Sequence, residues 1–456
     1  MNALRRRLRL DDDREAGLSL IEIIVAMMVF AIIMLGVGYS IISTLHATKD
    51  AKGREVALNL AAQEIDAVRA ISDIFALGDD SHTAFVPGDA TVFTIKRSTS
   101  WVTSNGTASD CGSGGGSLQY KEVNITVTWP GMIADNAVRT DTIVSPKATI
   151  NDPALGTILV SVKNAAGIGV AGVTVAASPS TGSAIPKTDA DGCSYLLKVP
   201  PGTYTVSASL SNYIDVNQVV TPVSTPQVVT AGSIASTGFA YDIKGAVTVT
   251  YASNYTATPK PKLPNNMLTS FSSTVGGVDQ MVTTTPTSLY PSLYTVVAGG
   301  FAPVTQASPG CLNVDPSQWQ DGTNSGGSAI SSPDPNTFSF PAGGSAPVNV
   351  PMGIMIVNTG GSSVYITATA TAAAASTGDP GCAATPTAVY TFGPVAPTSG
   401  NVLIALPYGS YTFKSGSSLG SLGSLAASKL SAGTGFTGFS ETSGGLVTLD
   451  PRVVVP

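Results

Sequence analysis

An unbroken apolar run near the N-terminus, Leu18–Ile42, constrains the fold of this chain more than any other feature. The run is long enough to cross a lipid bilayer as a helix, and Glu22 is its only charged residue. Arginines cluster within the ten residues at the start of the chain, as is usual on the cytoplasmic side of a membrane helix. The sequence therefore predicts one membrane-spanning helix, with the polar remainder of the chain exported. An ordinary signal peptide or a plain single-pass anchor would also carry an apolar run.

The residues at the start of the run favour a more specific interpretation. The segment Ala16-Gly17-Leu18-Ser19-Leu20-Ile21-Glu22 resembles the cleavage and methylation motif of type IV prepilins. The resemblance implies that a prepilin peptidase cuts between Gly17 and Leu18 and methylates the new amine of Leu18. It also places Glu22 where that family carries its glutamate. The chain departs from the family pattern in having Leu18 where phenylalanine is commonest, and in the aspartates of its leader.

Glu22 has a physical argument of its own. A carboxylate inside hydrocarbon costs several kcal/mol unless it is paired or lies near the interface. In the functional interpretation, Glu22 pairs with the positive amine of a neighbouring subunit's Leu18, which would select the register of the helices during filament assembly. In the alternative interpretation, Glu22 lies one turn into the helix and reaches the membrane surface.

The helix is predicted to continue well past the membrane. A charged cluster, Lys49–Glu55, marks its exit into water, and no proline interrupts the chain as far as Phe75. Beyond the cluster, the apolar residues that recur at near-helical spacing are Val56, Leu60, Ile65, Val68, Ile71 and Phe75. Residues 1–17 are accordingly assigned to the leader and residues 18–76 to a membrane-spanning and amphipathic helix.

Strand-like alternation follows the helix. Apolar and polar residues alternate in three segments, Thr91–Val102, Tyr120–Trp129 and Val138–Ser145. This alternation predicts an antiparallel sheet with one face against the helix. The helix followed by this sheet, residues 77–150, resembles the head of a pilin. The predicted fold class is α+β: a long N-terminal helix packed on an antiparallel sheet and followed by about three β-sandwich modules.

A tyrosine motif that occurs three times indicates the repeated modules. In each copy a turn precedes a strand with an inward tyrosine, and an apolar strand lies upstream. The three copies are Pro-Pro-Gly-Thr-Tyr204, Tyr-Pro-Ser-Leu-Tyr294 and Pro-Tyr-Gly-Ser-Tyr411. The predicted modules one, two and three span residues 154–240, 241–345 and 346–456.

Module one resembles the carboxypeptidase regulatory-like domain. The similarity is carried by Gly169–Val175, Thr188–Gly192 and Pro201–Val206. That family has a transthyretin-like β-sandwich and no catalytic activity of its own. The pair Asp189 and Asp191 is interpreted as part of a tight Asp-Gly turn, because a calcium-binding EF-hand loop needs more acidic ligands and a closing glutamate.

The four cysteines are Cys111, Cys193, Cys311 and Cys382. They lack the C-x-x-C spacing of zinc sites, and in an exported protein they favour disulfides. Cys311 and Cys382 each follow Pro-Gly, and we expect them to pair and to join module two to module three. Cys111 would then pair with Cys193 and join the pilin-like head to module one. Four cysteines allow three pairings, so the alternatives stay open.

Charge and histidine content argue against several classes of function. The formal net charge is −6, and an acidic surface repels phosphate backbones, so nucleic-acid binding is not expected. The two histidines, His46 and His82, have no evident carboxylate or cysteine partner in the sequence. We therefore expect neither a catalytic triad nor a metal site, and predict no enzymatic activity and no cofactor.

The sequence thus predicts a type IV pilus minor pilin-like filament subunit, at or near the tip, with an extended head for adhesion. The alternative is a pseudopilin of a type II secretion or DNA-uptake machine with a purely structural head. The expected partners are a prepilin peptidase, other pilin subunits through the helix, the cytoplasmic membrane before assembly, and a surface glycan or protein ligand. The expected location is the cytoplasmic membrane, with the head outside, and then the extracellular pilus.

Overall fold

The computed structural model of the chain is α+β, as predicted, with one long helix followed by many mostly antiparallel strands. The residues that it describes are 20–85, 91–113, 115–132, 137–182, 185–281, 287–301, 310–324, 326–371, 377–382, 388–442 and 444–455. They fall into two compact units. The helix–sheet unit comprises residues up to 100 together with 120–147, and the β unit comprises residues 101–119 together with 148–456.

Helix α1 spans Leu20–Ala70, which at 1.5 Å per residue is about 77 Å long. It ends before the predicted boundary at residue 76. The amide of Ile71 bonds to the carbonyl of Val68 at 3.2 Å, and the carboxylate of Asp73 accepts the amide of Phe75 at 3.0 Å. Short polar side chains such as aspartate compete with the helix for backbone groups, so the chain turns here and forms a separate 3-10 turn, Ile74–Ala76.

The first sheet along the chain has the strand order β1-β2-β4-β5, with a short β3 beside β2. The strands are β1 (Asp80–Phe85), β2 (Val92–Thr103), β3 (Ala108–Ser109), β4 (Leu118–Thr128) and β5 (Val138–Val144). The three predicted strands correspond to β2, β4 and β5. Strand β1 was not predicted, because it is a mostly exposed edge strand with little apolar alternation.

Small residues on the helix form its closest contact with the sheet. Gly53, Ala57 and Ala61 are buried at four-residue intervals on one face of α1. A side-chain carbon added at Gly53 would lie 2.7 Å from Nε1 of Trp129, so only glycine lets that indole lie directly on the helix. Of the larger residues of the predicted apolar face, Val68 is fully buried, whereas the others, such as Leu60, are only half-buried.

Polar contacts fix the orientation of the helix on the sheet. Glu64 of α1 forms an ion pair with Arg97 of β2 at 2.7 Å, and both side chains are largely buried. Arg69 of the helix donates to the hydroxyl of Thr142 of β5 at 3.0 Å. Removing one partner of such a pair would leave the other charge buried and unpaired, so these contacts specify one rotation of the helix about its axis.

Module one is a two-sheet sandwich within the β unit, with the sheet orders β10-β12-β6-β8 and β11-β9-β7. Its strands are β6 (Gly156–Lys163), β7 (Thr174–Ser178), β8 (Cys193–Val199), β9 (Gly202–Ser209), β10 (Tyr213–Asp215), β11 (Gln227–Val229) and β12 (Ile234–Ile243). Residues of both sheets, among them Val160 and Val206, fill one core. Strand β12 pairs in parallel with β6 and runs to Ile243, so it extends past the predicted boundary at residue 240.

Module two also pairs its opening strand in parallel with its closing strand, here β13 with β21. Its strands are β13 (Gly245–Tyr251), β14 (Leu268–Ser273), β15 (Gly277–Met281), β16 (Thr287–Leu289), β17 (Leu293–Ala298), β18 (Gly322–Thr323), β19 (Ala329–Ser331), β20 (Thr337–Ser339) and β21 (Ser345–Val350). The predicted boundary between residues 345 and 346 therefore falls inside a strand, and the pairing carries module two on to Val350.

Module three contains two antiparallel sheets, with the orders β25-β22-β28 and β24-β23-β26-β30-β29. Its strands are β22 (Gly353–Asn358), β23 (Val364–Ala370), β24 (Val389–Val395), β25 (Asn401–Leu406), β26 (Gly409–Ser418), β27 (Ser421–Ser424), β28 (Leu430–Ala432), β29 (Phe439–Glu441), β30 (Leu446–Leu449) and β31 (Val453–Val454). Modules two and three share one continuous apolar core, from Val247 to Leu449, whereas module one has its own.

The three motif tyrosines have the same environment. Tyr204, Tyr294 and Tyr411 are all buried in the described modules. Each donates its hydroxyl to the backbone carbonyl four residues upstream, at distances of 3.0, 2.8 and 2.9 Å respectively. A buried tyrosine hydroxyl needs such a partner, and the turn before each strand provides it. The repeated motif therefore corresponds to a repeated hydrogen bond, in which the tyrosine hydroxyl holds the turn that precedes its strand.

Two disulfides cross-link the β unit. Cys111 is bonded to Cys193, with Cα atoms 5.4 Å apart, and Cys311 to Cys382, with Cα atoms 4.1 Å apart. The first bond lies among other contacts that attach residues 101–119 to module one, including a 2.9 Å hydrogen bond from the indole of Trp101 to the hydroxyl of Tyr195. The second joins modules two and three.

The segment after β30 also joins modules two and three. Strand β31 pairs antiparallel with β19 of module two. Arg452 donates to the carbonyls of Gln320 and Thr377 at 2.7 and 2.8 Å, and its guanidinium lies 5.3 Å from the ring centre of Trp319. A bond to Asp450 at 2.7 Å offsets the cost of burying this cation.

The Gly53–Trp129 contact generates a direct test of the helix–sheet packing. We expect Gly53→Val to reduce the free energy of local opening by about 1–3 kcal/mol, because the added carbons overlap the indole. Hydrogen–deuterium exchange of peptides from residues 53–68 measures the loss. Gly36→Val is the matched control, since a side-chain carbon there meets no atom within 4 Å. Equal exchange in the two variants would contradict the packing.

Candidate assembly site on the N-terminal helix

The first half of α1 presents an apolar surface on every side. Its large apolar side chains between Leu20 and Leu45 are 44–78% exposed. Exposed apolar surface this continuous marks a site of contact with a membrane or with other proteins. Among the described residues, α1 is the one helix that is long and apolar enough to cross a membrane.

Glu22 lies in the first turn of this helix, at the edge of an apolar strip. Along one face it is followed by Ala26, Val29 and Ile33, which border the same shallow groove as Glu22. A negative charge in the first turn is favourable, because the backbone amides there carry partial positive charge. When a second helix or lipid covers the strip, the carboxylate loses water and needs a cation to compensate.

Hydroxyl groups mark the end of the apolar half. Thr44 donates to the carbonyl of Ser40, and Thr48 donates to the carbonyl of Thr44, both at 2.8 Å. Bonds of this kind satisfy the hydroxyls inside the helix, so they can enter hydrocarbon at little cost. The helix is continuous through this region and into the charged segment that follows.

The structure places Glu22, but not the other residues of the predicted processing site. Gly17 and Leu18 lie outside the described residues, so cleavage and methylation there stay predictions.

One statement about the histidines was wrong. His82 lies in strand β1, and its Nδ1 is 2.9 Å from the carboxylate of Asp80. This hydrogen bond holds the pKa of Asp80 below its ordinary value. The other ring nitrogen, Nε2, lies 3.9 Å from Glu64, the partner of Arg97. The sequence could not show the approach to Glu64, because the helix and the strand are distant along the chain, whereas Asp80 lies only two residues from His82 and was overlooked. Within the described ranges, no group of three or more histidine, cysteine or acidic residues could hold a metal ion.

Comparison with known proteins decides the nature of the N-terminal segment. Residues 12–38 match the family described as the prokaryotic N-terminal methylation motif. The segment is a type IV prepilin-like methylation motif. The match spans Gly17, Leu18, Glu22 and most of the apolar run, and it makes the chain pilin-like in this region. No curated protein matches the chain.

Two solved structures are similar to the chain at low identity. The Bacillus anthracis TIE protein is 13% identical over 76% of this chain and 71% of its own, with a TM-score of 0.19. The streptococcal ancillary pilin is 10% identical over 50% of this chain and 75% of its own, with a TM-score of 0.17. At these TM-scores, neither likeness bears on the fold or the function.

Processing can be tested at Gly17. We expect N-terminal peptide mass analysis to find a mature chain that begins with N-methylated Leu18. Gly17→Val should block the cut while leaving membrane insertion intact, because the apolar run is unchanged. A chain cut instead beyond residue 40 would show that the segment is a signal peptide.

The role of Glu22 can be tested in assembled filaments. Glu22→Ala should sharply reduce incorporation into filaments, because the groove would lose its only charge, while the helix–sheet unit stays folded. The measurement is the amount of subunit in sheared filaments relative to the amount in the membrane. Glu55→Ala is the matched control, an exposed glutamate on the same helix outside the apolar half. If the Glu22→Ala variant enters filaments in normal amounts, the carboxylate of Glu22 has no role in assembly.

Proposed function

We propose that the chain is a minor pilin-like filament subunit that lies at or near a filament tip and uses its extended head for adhesion. The observation that carries the proposal is the combination of a prepilin-like motif with a β unit of about two-thirds of the chain. The motif supports membrane insertion, processing by a prepilin peptidase and assembly with other pilins through the helix. The β unit supports a task beyond assembly.

The size of the β unit favours a terminal position. Subunits repeated along a filament must pack around neighbours on all sides, whereas a subunit at the end has free space in front of it. Residues 148–456 add a large β region to the helix–sheet unit, and a subunit of this size fits more easily at the end of a filament than within its shaft. Immunogold labelling with an antibody against module three should then give single labels at filament ends.

The chemistry of the head suits recognition of polar surfaces. Only 11% of the residues of the chain are charged, and its net charge of −6 disfavours phosphate polymers. Exposed serine, threonine, asparagine and glycine residues offer adaptable hydrogen bonding to sugars and proteins. A ligand on a host or neighbouring cell surface therefore fits the head better than a nucleic acid.

Deletion of modules two and three tests the adhesin proposal. Removal of residues 245–456 leaves module one with its own core and with the Cys111–Cys193 bond, and it removes Cys311 and Cys382 together. We expect processing and membrane anchoring to persist and surface attachment by piliated cells to fall.

Filament number, counted by electron microscopy, is the control for this deletion. Unchanged attachment at equal filament number would contradict the adhesin proposal. If filaments disappear instead, the head serves assembly, and the chain acts as a pseudopilin-like structural component.

A further inference from the structure

A cleft of about 330 Å³ opens in module two at the carboxyl end of the parallel pair β13 and β21. The loop of residues 252–263 forms its outer wall. Its lining includes Tyr251, Ser253, Tyr255, Thr256, Lys260 and Asn349. The volume lies at the lower end of the ~300–1,000 Å³ that is typical of small-molecule sites, so it suits a ligand of one ring rather than an extended chain.

The wall of the cleft is fixed at both of its ends. The side chain of Asn254 exchanges two hydrogen bonds with the backbone of Met352, at 2.8 and 3.0 Å. At the other end, the backbone of Lys262 donates to the carbonyl of Leu403 and accepts from the amide of Ala405, both at 2.9 Å. A wall held in this way loses little conformational entropy when a ligand binds.

Backbone strain occurs at the base of the same loop. Ala252 is buried, and its φ of 50° lies in the left-handed region that non-glycine residues rarely adopt. Such strain persists only where the surrounding structure enforces it, and it concentrates at ligand-binding sites. Here the strained residue directly follows β13 and turns the chain outward around the cleft.

The polar groups of the cleft favour an anion that also carries hydroxyl groups. Among the described residues that line the cleft, Lys260 is the only charged one, and no carboxylate accompanies it there. Its ammonium donates to the carbonyl of Tyr255 at 2.8 Å, which uses one of its three N–H donors. Ser253, Thr256 and Asn349 add hydroxyl and amide groups that can donate to or accept from sugar hydroxyls.

One wall of the cleft is aromatic. The hydroxyl of Tyr251 is bonded to the hydroxyl of Thr269 at 2.5 Å, which fixes the ring, and the side chain is half-buried. Aromatic side chains provide contact area with little loss of entropy, and together with hydroxyl and amide groups they suit the two faces of a sugar ring.

We propose that this cleft binds one acidic monosaccharide unit of a surface glycan, with the sugar carboxylate on Lys260 and its hydroxyls on Ser253, Thr256 and Asn349. The proposal rests on the adhesin function and gives it a ligand class and a site. An acidic peptide is the competing ligand, and it would need the lysine but not the hydroxyl-binding groups.

The test uses the full chain in a detergent without a sugar head group, and ligand-observed NMR titration. Methyl glucuronoside is the probe, methyl glucoside is its uncharged counterpart, and N-acetylaspartate represents an acidic peptide. We expect the glucuronoside to bind about tenfold more tightly than either other probe, since one charge-assisted bond and the ring contacts each contribute. Lys260→Gln should remove about tenfold of that affinity.

Lys262→Gln is the matched control, because Lys262 is exposed, lies two residues away and is not part of the lining. It should change the affinity by less than about twofold. Thermal melting of each variant shows whether the fold is retained, and Asn349→Ala provides a second variant outside the loop. Equal binding by the wild type and Lys260→Gln, or N-acetylaspartate binding as tightly as the glucuronoside, would overturn the proposal.

The attachment assay separates this proposal from the adhesin function. If deletion of modules two and three abolishes attachment but Lys260→Gln does not, the head is an adhesin and the assigned site is wrong. If the glucuronoside binds through Lys260 but the deletion leaves attachment unchanged, the site is real and the adhesin function is wrong.

Discussion

Direct contact between Gly53 of helix α1 and the indole of Trp129 determines how the helix packs on the sheet of its own unit. No side chain separates the helix from the ring at Gly53, and the small residues Ala57 and Ala61 are buried on the same face of the helix. The buried Glu64–Arg97 pair then leaves one rotation of the helix. The direction in which Glu22 projects from the same rigid helix is thereby fixed relative to the helix–sheet unit, which an ordered filament requires.

The helix has two environments and no break between them. Its first half exposes apolar side chains on all faces, whereas its second half buries small residues on one face and exposes charges on the other. A helix that is apolar all round belongs in a bilayer or among other helices, and an amphipathic helix belongs on a globular unit. The same helix therefore has an apolar half suited to a bilayer or to packing against other helices, and an amphipathic half suited to packing on the folded unit.

The sequence was most informative where local patterns decide the structure. The apolar run, strands β2, β4 and β5, and the inward tyrosines at residues 204, 294 and 411 all follow from spacing. The processing residues Gly17 and Leu18 rest on a motif alone. The small-residue face of α1 was missed because glycine and alanine give little hydrophobic signal. Strand β1 was not predicted because its residues are mostly polar. The core shared by modules two and three was not predicted because it depends on contacts between distant segments, which no local pattern encodes.

The pairing of β31 with β19 has a consequence for export. A chain that emerges from its N-terminal end presents module two before module three, yet the small sheet of module two is completed only by residues 453–454. Arg452 closes the same region by bonding to Gln320 and Thr377. Modules two and three therefore cannot mature one after the other as they emerge. They complete their shared core and the small sheet of module two together, once β31 is available to pair with β19.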